Sequence, residues 1–321
     1  MSPESAGGTR PTVVAVSSCG PRPLTGISNR CDNRSMSLMT PLLVLSRVQA
    51  VQLLNAKRSG QSTVTISPDL NLTQTEVILR PEHAIFFNER QLSWPGIEEI
   101  AATKDTCFVV QENGLQPIQR FSPLTNRFCS LMPTDLAPTL LIAGFPMHRI
   151  KDTDPYHDTL SKIRAIKPVV GKVLDTTTGL GYTAIEASRT ADHVVTIELD
   201  PTVLDIARLN PWSQRLFSNP KIAQLVADSC GAIQAMTDRA FSRIIHDPPT
   251  VSLAGELYSG AFYRQLFRVL SQGGRLFHYM GDLDSNLGGR VAKGAIRRLR
   301  DAGFARVRPY PRAFGVVAYK L

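Results

Sequence analysis

The sequence predicts a doubly wound, mostly parallel α/β sheet over residues 136–321, preceded by a smaller α+β domain over residues 39–135. Three observations carry this. From Asp154 onward, apolar runs of strand length alternate with segments of helix length, the pattern of repeated βα units. Before that point, short β-branched and aromatic runs succeed one another between Pro, Asn and Gly, with few helical stretches. A chain of 321 residues, 43% of them hydrophobic, also has length for roughly two domains and material for a core, which excludes a wholly disordered or fibrous protein.

Residues 1–38 hold seven serines and four arginines without apolar periodicity, so nothing there repays the entropy of ordering, and the stretch reads as a disordered extension. An upstream start codon, an Arg- and Ser-rich transit peptide or an arm that touches a partner would each produce it; Met36 and Met39 favour the first. The small domain opens with a helix from Ser46 to Arg58, where Val48, Val51, Leu53 and Leu54 repeat at helical spacing before Gly60. Strands are expected at Thr63–Ile66, Glu76–Arg80, Ala84–Phe87 and Cys107–Gln111, with a short helix near Ile97–Ala102.

In the larger domain the helices fall at Tyr156–Ile166, 182–190, 201–209, 230–237, 256–270 and 289–302. Between them lie strands at Lys172–Thr176, 193–198, 222–227, 241–246 and 275–280, with two more near 304–309 and 314–320. No apolar run approaches the ~20 residues of a membrane span; Leu140 to Phe145 is bounded by Pro138 and Pro146. The five cysteines form no C-x-x-C pair and no cluster has metal-ligand spacing, so the expectation is a soluble, cytoplasmic protein without a metal or a membrane partner.

The most informative stretch is V-L-D-T-T-T-G-L-G-Y-T-A, Val173 to Ala184, where a strand runs out into a helix. Gly179 and Gly181 allow a sharp turn and a close approach by a ligand. Glu198 ends the next strand 19 residues after Gly179, a spacing at which a carboxylate holds a ribose diol, and Asp228 closes the third strand, where a carboxylate can accept from an adenine amine. Asp175, four residues before Gly179, would repel a dinucleotide's pyrophosphate but suits a cationic amino-acid moiety.

With these residues in place the sequence resembles the class I S-adenosylmethionine-dependent methyltransferases, whose D-x-G-x-G-x-G loop aligns with Asp175 to Gly181. The resemblance covers about residues 160 to 321. It implies a seven-stranded Rossmann-like methyltransferase sheet with the last strand antiparallel, and S-Q-G-G-R-L-F-H-Y, Ser271 to Tyr279, matches the family's turn into its fifth strand. It further implies that Gly179 and Gly181 flank the methionine part of S-adenosyl-L-methionine, that Glu198 binds the ribose and that Asp228 binds the adenine. One position departs: the first glycine of the pattern is Thr177, whose Cβ narrows the pocket or shifts its backbone.

The strand 241–246 ends in H-D-P-P-T, His246 to Thr250. Two prolines cannot continue a ladder, so the chain leaves the sheet in a rigid extended turn, with Asp247 beside the cofactor crevice. In enzymes of the class that methylate amino groups, a D/N/S-P-P-aromatic tetrapeptide stands here. By that resemblance Asp247, Pro248 and Pro249 receive the amine, while Thr250 replaces the ring that stacks on the base. The alternative is a rigid turn that caps the next helix. Tyr258, Phe262 or Tyr263 could supply a ring, although such residues more often serve the core, and His148 and His278 are further candidates for lining the site. The longer stretch H-D-P-P-T-V-S-L-A-G-E-L-Y-S, with T-G-L-G-Y-T-A and L-F-H-Y-M-G around it, resembles a group of predicted methyltransferases widespread in archaea and present in some bacteria. That likeness implies methylation of a cytosine exocyclic amine, N4, in ribosomal RNA.

The net charge of +9 is local: residues 39–287 carry 23 basic and 24 acidic residues, residues 288–321 nine and one. Arg290, Lys293, Arg297 and Arg300 line one face of the last helix without interspersed carboxylates, and the stripe reads either as a solvated helix face or as a contact with the phosphates of RNA, ribosomal or transfer. Two rival classes remain: a small-molecule alkyltransferase such as a polyamine aminopropyltransferase, and a non-catalytic S-adenosylmethionine-binding module.

Overall fold

The computed structural model describes residues 41–321 except Asn113, and not the side chains of Asn286 and Leu287. The expected disorder of residues 1–38 lies outside the described residues.

Helix α1 (Pro155–Ala165) leads into the large sheet, and Asp154 caps it by accepting from the Tyr156 and His157 amides. There follow β1 (Lys172–Asp175), α2 (Tyr182–Ala187), β2 (His193–Glu198), α3 (Pro201–Leu209), β3 (Ile222–Val226), β4 (Phe241–His246), α4 (Gly260–Val269), β5 (Leu270–Tyr279), α5 (Asn286–Asp301), β6 (Ala305–Tyr310) and β7 (Gly315–Tyr319). These seven strands form one sheet in the order β3-β2-β1-β4-β5-β7-β6. The first five run parallel, and β7 lies antiparallel to both β5 and β6, as expected.

Alternation along the strands explains why both faces are covered. Leu174, Ile244, Leu276 and Val316 point to one face and pack with Phe262, Leu266, Ala295 and Leu299 of α4 and α5. Their neighbours Val173, Ile245, Phe277 and Val317 point to the other, against Ile163, Ala184, Ala187 and Leu204 of α1 to α3. The sheet order reverses between β1 and β4, and there the carboxyl ends of two neighbouring strands diverge to leave a crevice.

Several elements differ from expectation for local reasons. Ser285 caps α5 by accepting from the Gly288 amide, so the helix starts at Asn286 rather than at 289. The expected helix 256–270 breaks into a 3₁₀ turn, Gly255–Tyr258, and α4, because Ser259 caps the latter. Strand β5 begins at Leu270, with an irregular register against β4 that absorbs Ser271–Gly274.

Among the described residues the N-terminal part contains two α-helices, Arg47–Arg58 and Trp94–Ala102, and three small sheets. One of these sheets joins Gln119–Ser122, Arg127–Met132, Thr139–Ile142 and Phe145–Pro146, so strand pairing runs straight across residue 135, where a boundary was expected. Val44, Ile118, Leu131 and Leu140 share a core cluster with Leu180, Tyr182, Val203 and Ile206. The Tyr182 hydroxyl donates to the Pro138 carbonyl, 2.9 Å, and Trp212 Nε1 to the Leu70 carbonyl, 2.8 Å. The smaller part therefore packs on the larger through a continuous hydrophobic layer.

Candidate active site

A cavity of about 180 Å³ lies at the carboxyl ends of β1, β2 and β4. Its floor is the β1–α2 loop. Gly179 has φ 53° and nothing within 4 Å of where a Cβ would stand, so its cavity side is bare. Gly181, φ 77°, serves packing instead: a Cβ there would meet Leu216 at 2.6 Å, and the residue does not line the cavity. Thr177, in place of the expected glycine, donates from Oγ1 to the Asp247 carbonyl, 2.8 Å, and so ties the loop to the turn after β4.

The Glu198 carboxylate lines the cavity, accepting from the Gly179 amide through Oε2 (2.8 Å) and from the Asp200 amide through Oε1 (3.1 Å). Burial pushes its pKa up to about 7, against the pull of those amides. Asp228 also lines the cavity while capping the turn Ser229–Ala232. Asp175 corrects the expectation of a cofactor contact. It is fully buried behind the loop, outside the cavity lining, with Oδ2 accepting from Thr183 (2.9 Å) and Thr196 (3.2 Å). Its Oδ1 has no hydrogen-bond partner, and burial raises its pKa to about 7 although both hydroxyls lower it.

Asp247, Pro248 and Pro249 line the cavity together. His246, just before them, is fully buried; its Nε2 donates to the Leu257 carbonyl (2.9 Å), which leaves Nδ1 to accept from Thr176 Oγ1 (2.7 Å). Burial lowers its pKa to about 3, so it stays neutral and braces the turn. The Tyr258 hydroxyl donates to the Pro249 carbonyl, 3.0 Å, so Tyr258 supports the turn from beneath rather than meeting a ligand. His278 likewise leaves the site: it is buried, bonds through Nε2 to the Tyr263 hydroxyl at 2.8 Å, and lies outside the lining. Thr250 is exposed and bonds Ser252 rather than facing the cavity. Arg290, Lys293, Arg297 and Arg300 are exposed along α5, and none reaches the cavity.

Sequence reasoning missed two groups. The first is the wall from the N-terminal part, Thr125, Arg127, Leu140, Ile142, Met147 and His148, of which only His148 was singled out. The second is Lys162 on α1, 1% exposed, with Nζ 2.7 Å from Asp247 Oδ2 and 2.8 Å from Asp158 Oδ2. The available signal was Asp158 and Lys162 at i, i+4 on the helix face that also carries Ile163. The finished cavity is acidic: Glu198, Asp200, Asp228, Asp247 and Glu256 line it against a single lining cation, Arg127. Among the described residues no group of three or more His, Cys, Asp or Glu could hold a metal ion, and no helix is long and apolar enough to cross a membrane.

Comparison with known proteins gives this geometry a family. The uncharacterized protein MJ1233 of Methanocaldococcus jannaschii is 39% identical over 290 residues, 89% of this chain and 99% of the relative. The chain belongs to the MJ1233 family. The family model described as "Conserved hypothetical protein 95" matches residues 157–259, from α1 through the turn after β4. A polyamine aminopropyltransferase of Alkaliphilus metalliredigens is 29% identical over 141 residues, 43% of this chain and 50% of that one. A crystal structure of spermidine synthase in complex with the transition state analogue AdoDATO superposes with a TM-score of 0.52 at 19% identity, covering 62% of this chain and 71% of that one. The MJ1233 family thus has the class I methyltransferase-like fold, which aminopropyltransferases share.

Proposed function

We propose that this member of the MJ1233 family is a cytoplasmic S-adenosylmethionine-dependent methyltransferase that modifies the exocyclic amine of a nucleobase in RNA, cytosine N4 before others, as the resemblance to the D-P-P-T group implies. The observation that carries this is the shared cavity: the Asp247-Pro248-Pro249 turn opens on the same space as Glu198 and Asp228. The cofactor, when bound, supplies an electrophilic methyl on a sulfonium. The donor set suits it, because an acidic cavity favours a cation and disfavours the pyrophosphate of a dinucleotide. Glu198 keeps lone pairs free beside those taken by two amides, enough to accept from a ribose diol, and Asp228 is open to an adenine amine.

An exocyclic amine is a weak nucleophile, since its lone pair is delocalised into the ring. Asp247 and the Pro248 carbonyl accept its N–H bonds and favour a pyramidal nitrogen aimed at the methyl group. A ring to replace the one missing at position 250 would come from outside the cavity lining, on the hairpin that carries Ile142. Phe145 is 67% exposed, on the sheet face it shares with the cavity-lining Ile142, with which it pairs. An unpaired base emerging from the cavity would stack there.

The test is transfer of labelled methyl from S-adenosylmethionine to unmodified ribosomal and transfer RNA transcripts, followed by mass spectrometry of the nucleosides. One methylated amine is expected, with Asp247→Ala losing about 10²-fold or more in rate at unchanged cofactor affinity, and Phe145→Ala raising the RNA concentration required. No cofactor binding, or full activity in Asp247→Ala, would refute the reading. The likeness to a polyamine aminopropyltransferase favours a second one, aminopropyl transfer from decarboxylated S-adenosylmethionine to a diamine; product from putrescine in place of RNA would establish it. Equal binding of cofactor and demethylated product without turnover would indicate a binding module.

A further inference from the structure

Helix α1 carries a full charge into the interior of the site. Lys162 is held between Asp158, itself 1% exposed, and Asp247, and Arg149 Nη1 reaches the remaining Asp158 oxygen at 3.4 Å. The Arg149 guanidinium also lies 3.6 Å from the Phe314 ring centroid, which fixes the outer end of the chain of charges. Arg149, Asp158, Lys162 and Asp247 sum to zero, so the carboxylate that faces the cavity is already neutralised from behind.

The other titratable groups around this pair leave that balance intact. From β5, Tyr279 sets its ring 4.8 Å from Lys162 Nζ, and burial pushes its pKa up to about 12, so it stays uncharged. His148, on the N-terminal wall, is lowered to about 3 by burial and by Lys162, and adds no charge. The Asp247 charge raises the pKa of Asp175 on β1 and of Tyr258 in the turn before α4, which favours the neutral form of each. Desolvation works against the Lys162 cation, but Asp247 and Asp158 together raise its pKa above the usual lysine value, and it remains protonated.

We propose that Lys162 sets which amines this site accepts: paired with Asp247, it keeps the carboxylate ionised as a hydrogen-bond acceptor but cancels its charge, so the site takes an uncharged amine and turns away an ammonium. This rests on the reading of Asp247 as the amine acceptor. A neutral exocyclic amine needs only the lone pairs that Asp247 presents to the cavity. At Asp247 itself, a protonated polyamine would bring a second cation up to Lys162, where the Asp247 charge is already cancelled. Lys162 is thus a positioning residue that acts through Asp247.

Two measurements on the full chain decide it. The first follows the Asp247 carboxyl by ¹³C NMR in aspartate-labelled protein, assigned with Asp247→Asn. In Lys162→Met its titration should move up by more than about one pH unit, because burial then acts unopposed. The second measures putrescine binding to protein loaded with S-adenosylhomocysteine at a pH above the Asp247 midpoint found by the first, where Lys162→Met should bind about tenfold tighter or better than wild type, since the remaining three charges then sum to −1. An unmoved Asp247 titration, or putrescine bound equally by both proteins, overturns the proposal. If Lys162→Met does not fold, Lys162→Met/Asp158→Asn buries one charge fewer and keeps the titration readout, with a smaller upward shift because the Asp158 charge no longer adds to it. Absence of methyl transfer to RNA would sink the reading of the previous section, and neither measurement depends on it.

Discussion

Asp175 keeps a carboxylate at zero exposure with one oxygen bonded by two threonines and the other bare. Its pKa is raised by desolvation from 3.8 to about 7, so the folded chain holds a proton that the unfolded chain releases earlier. The stability this group contributes is complete below pH 3.8 and is lost as pH rises through 7. Asp175→Asn retains the size and one acceptor but cannot ionise. At pH 8 the cofactor-free variant should be more stable than wild type by on the order of 1–3 kcal/mol, and indistinguishable below pH 4, as thermal melts at both values would show. At this scale the sequence was half legible. Spacing and strand tips identify Asp247, Glu198 and Asp228, because a residue at the carboxyl end of a parallel strand must lie near the crevice. Spacing does not say which way a side chain turns, so Asp175, Tyr258 and His278 were assigned to a cavity from which they point away. Lys162 was missed because its partner Asp247 lies 85 positions further along the chain.

Among the elements, α5 follows its pattern closely. Ala292, Ala295 and Leu299 are buried while Arg290, Lys293, Arg297 and Arg300 are exposed, so the charge stripe lies on the surface as its spacing required. Reversing these four to Glu should weaken RNA binding by at least about tenfold and flatten its dependence on salt, with cofactor affinity unchanged; filter binding across a salt series checks both. Equal loss of both affinities would mean that the stripe is structural. Arg298 on the same helix is not part of it: Nε donates to the Tyr258 carbonyl, 2.9 Å, and joins α5 to the 3₁₀ turn before α4. Helices and parallel strands were readable because caps and long apolar runs are local signals. The hairpins between Gly114 and Pro146 were not, because strands of two to six residues carry too short an alternation to recognise.

For the whole molecule, the shared layer between the N-terminal part and the sheet matters most. The βα alternation made the large sheet foreseeable, but no single segment announces that Leu131 and Leu140 will bury Tyr182 and Val203. A chain beginning at residue 151 would expose Leu180, Tyr182, Val203 and Ile206, all at most 5% exposed in the intact protein. Such a fragment should aggregate or lose cooperative unfolding instead of behaving as an independent domain, which soluble yield and calorimetry would reveal.

The same layer governs how a turnover could end. The wall that carries Leu140, Met147 and His148 is joined to the sheet by this layer and by the Tyr182 hydroxyl on the Pro138 carbonyl, which resists a swing of one half from the other. The tip at Ala143 and Gly144, in the hairpin that presents Phe145, lies beside that wall, and both residues adopt positive φ. On the proposed methyl transfer, the demethylated cofactor would leave beside this tip, so a covalent staple across it should slow product release while leaving a single turnover intact.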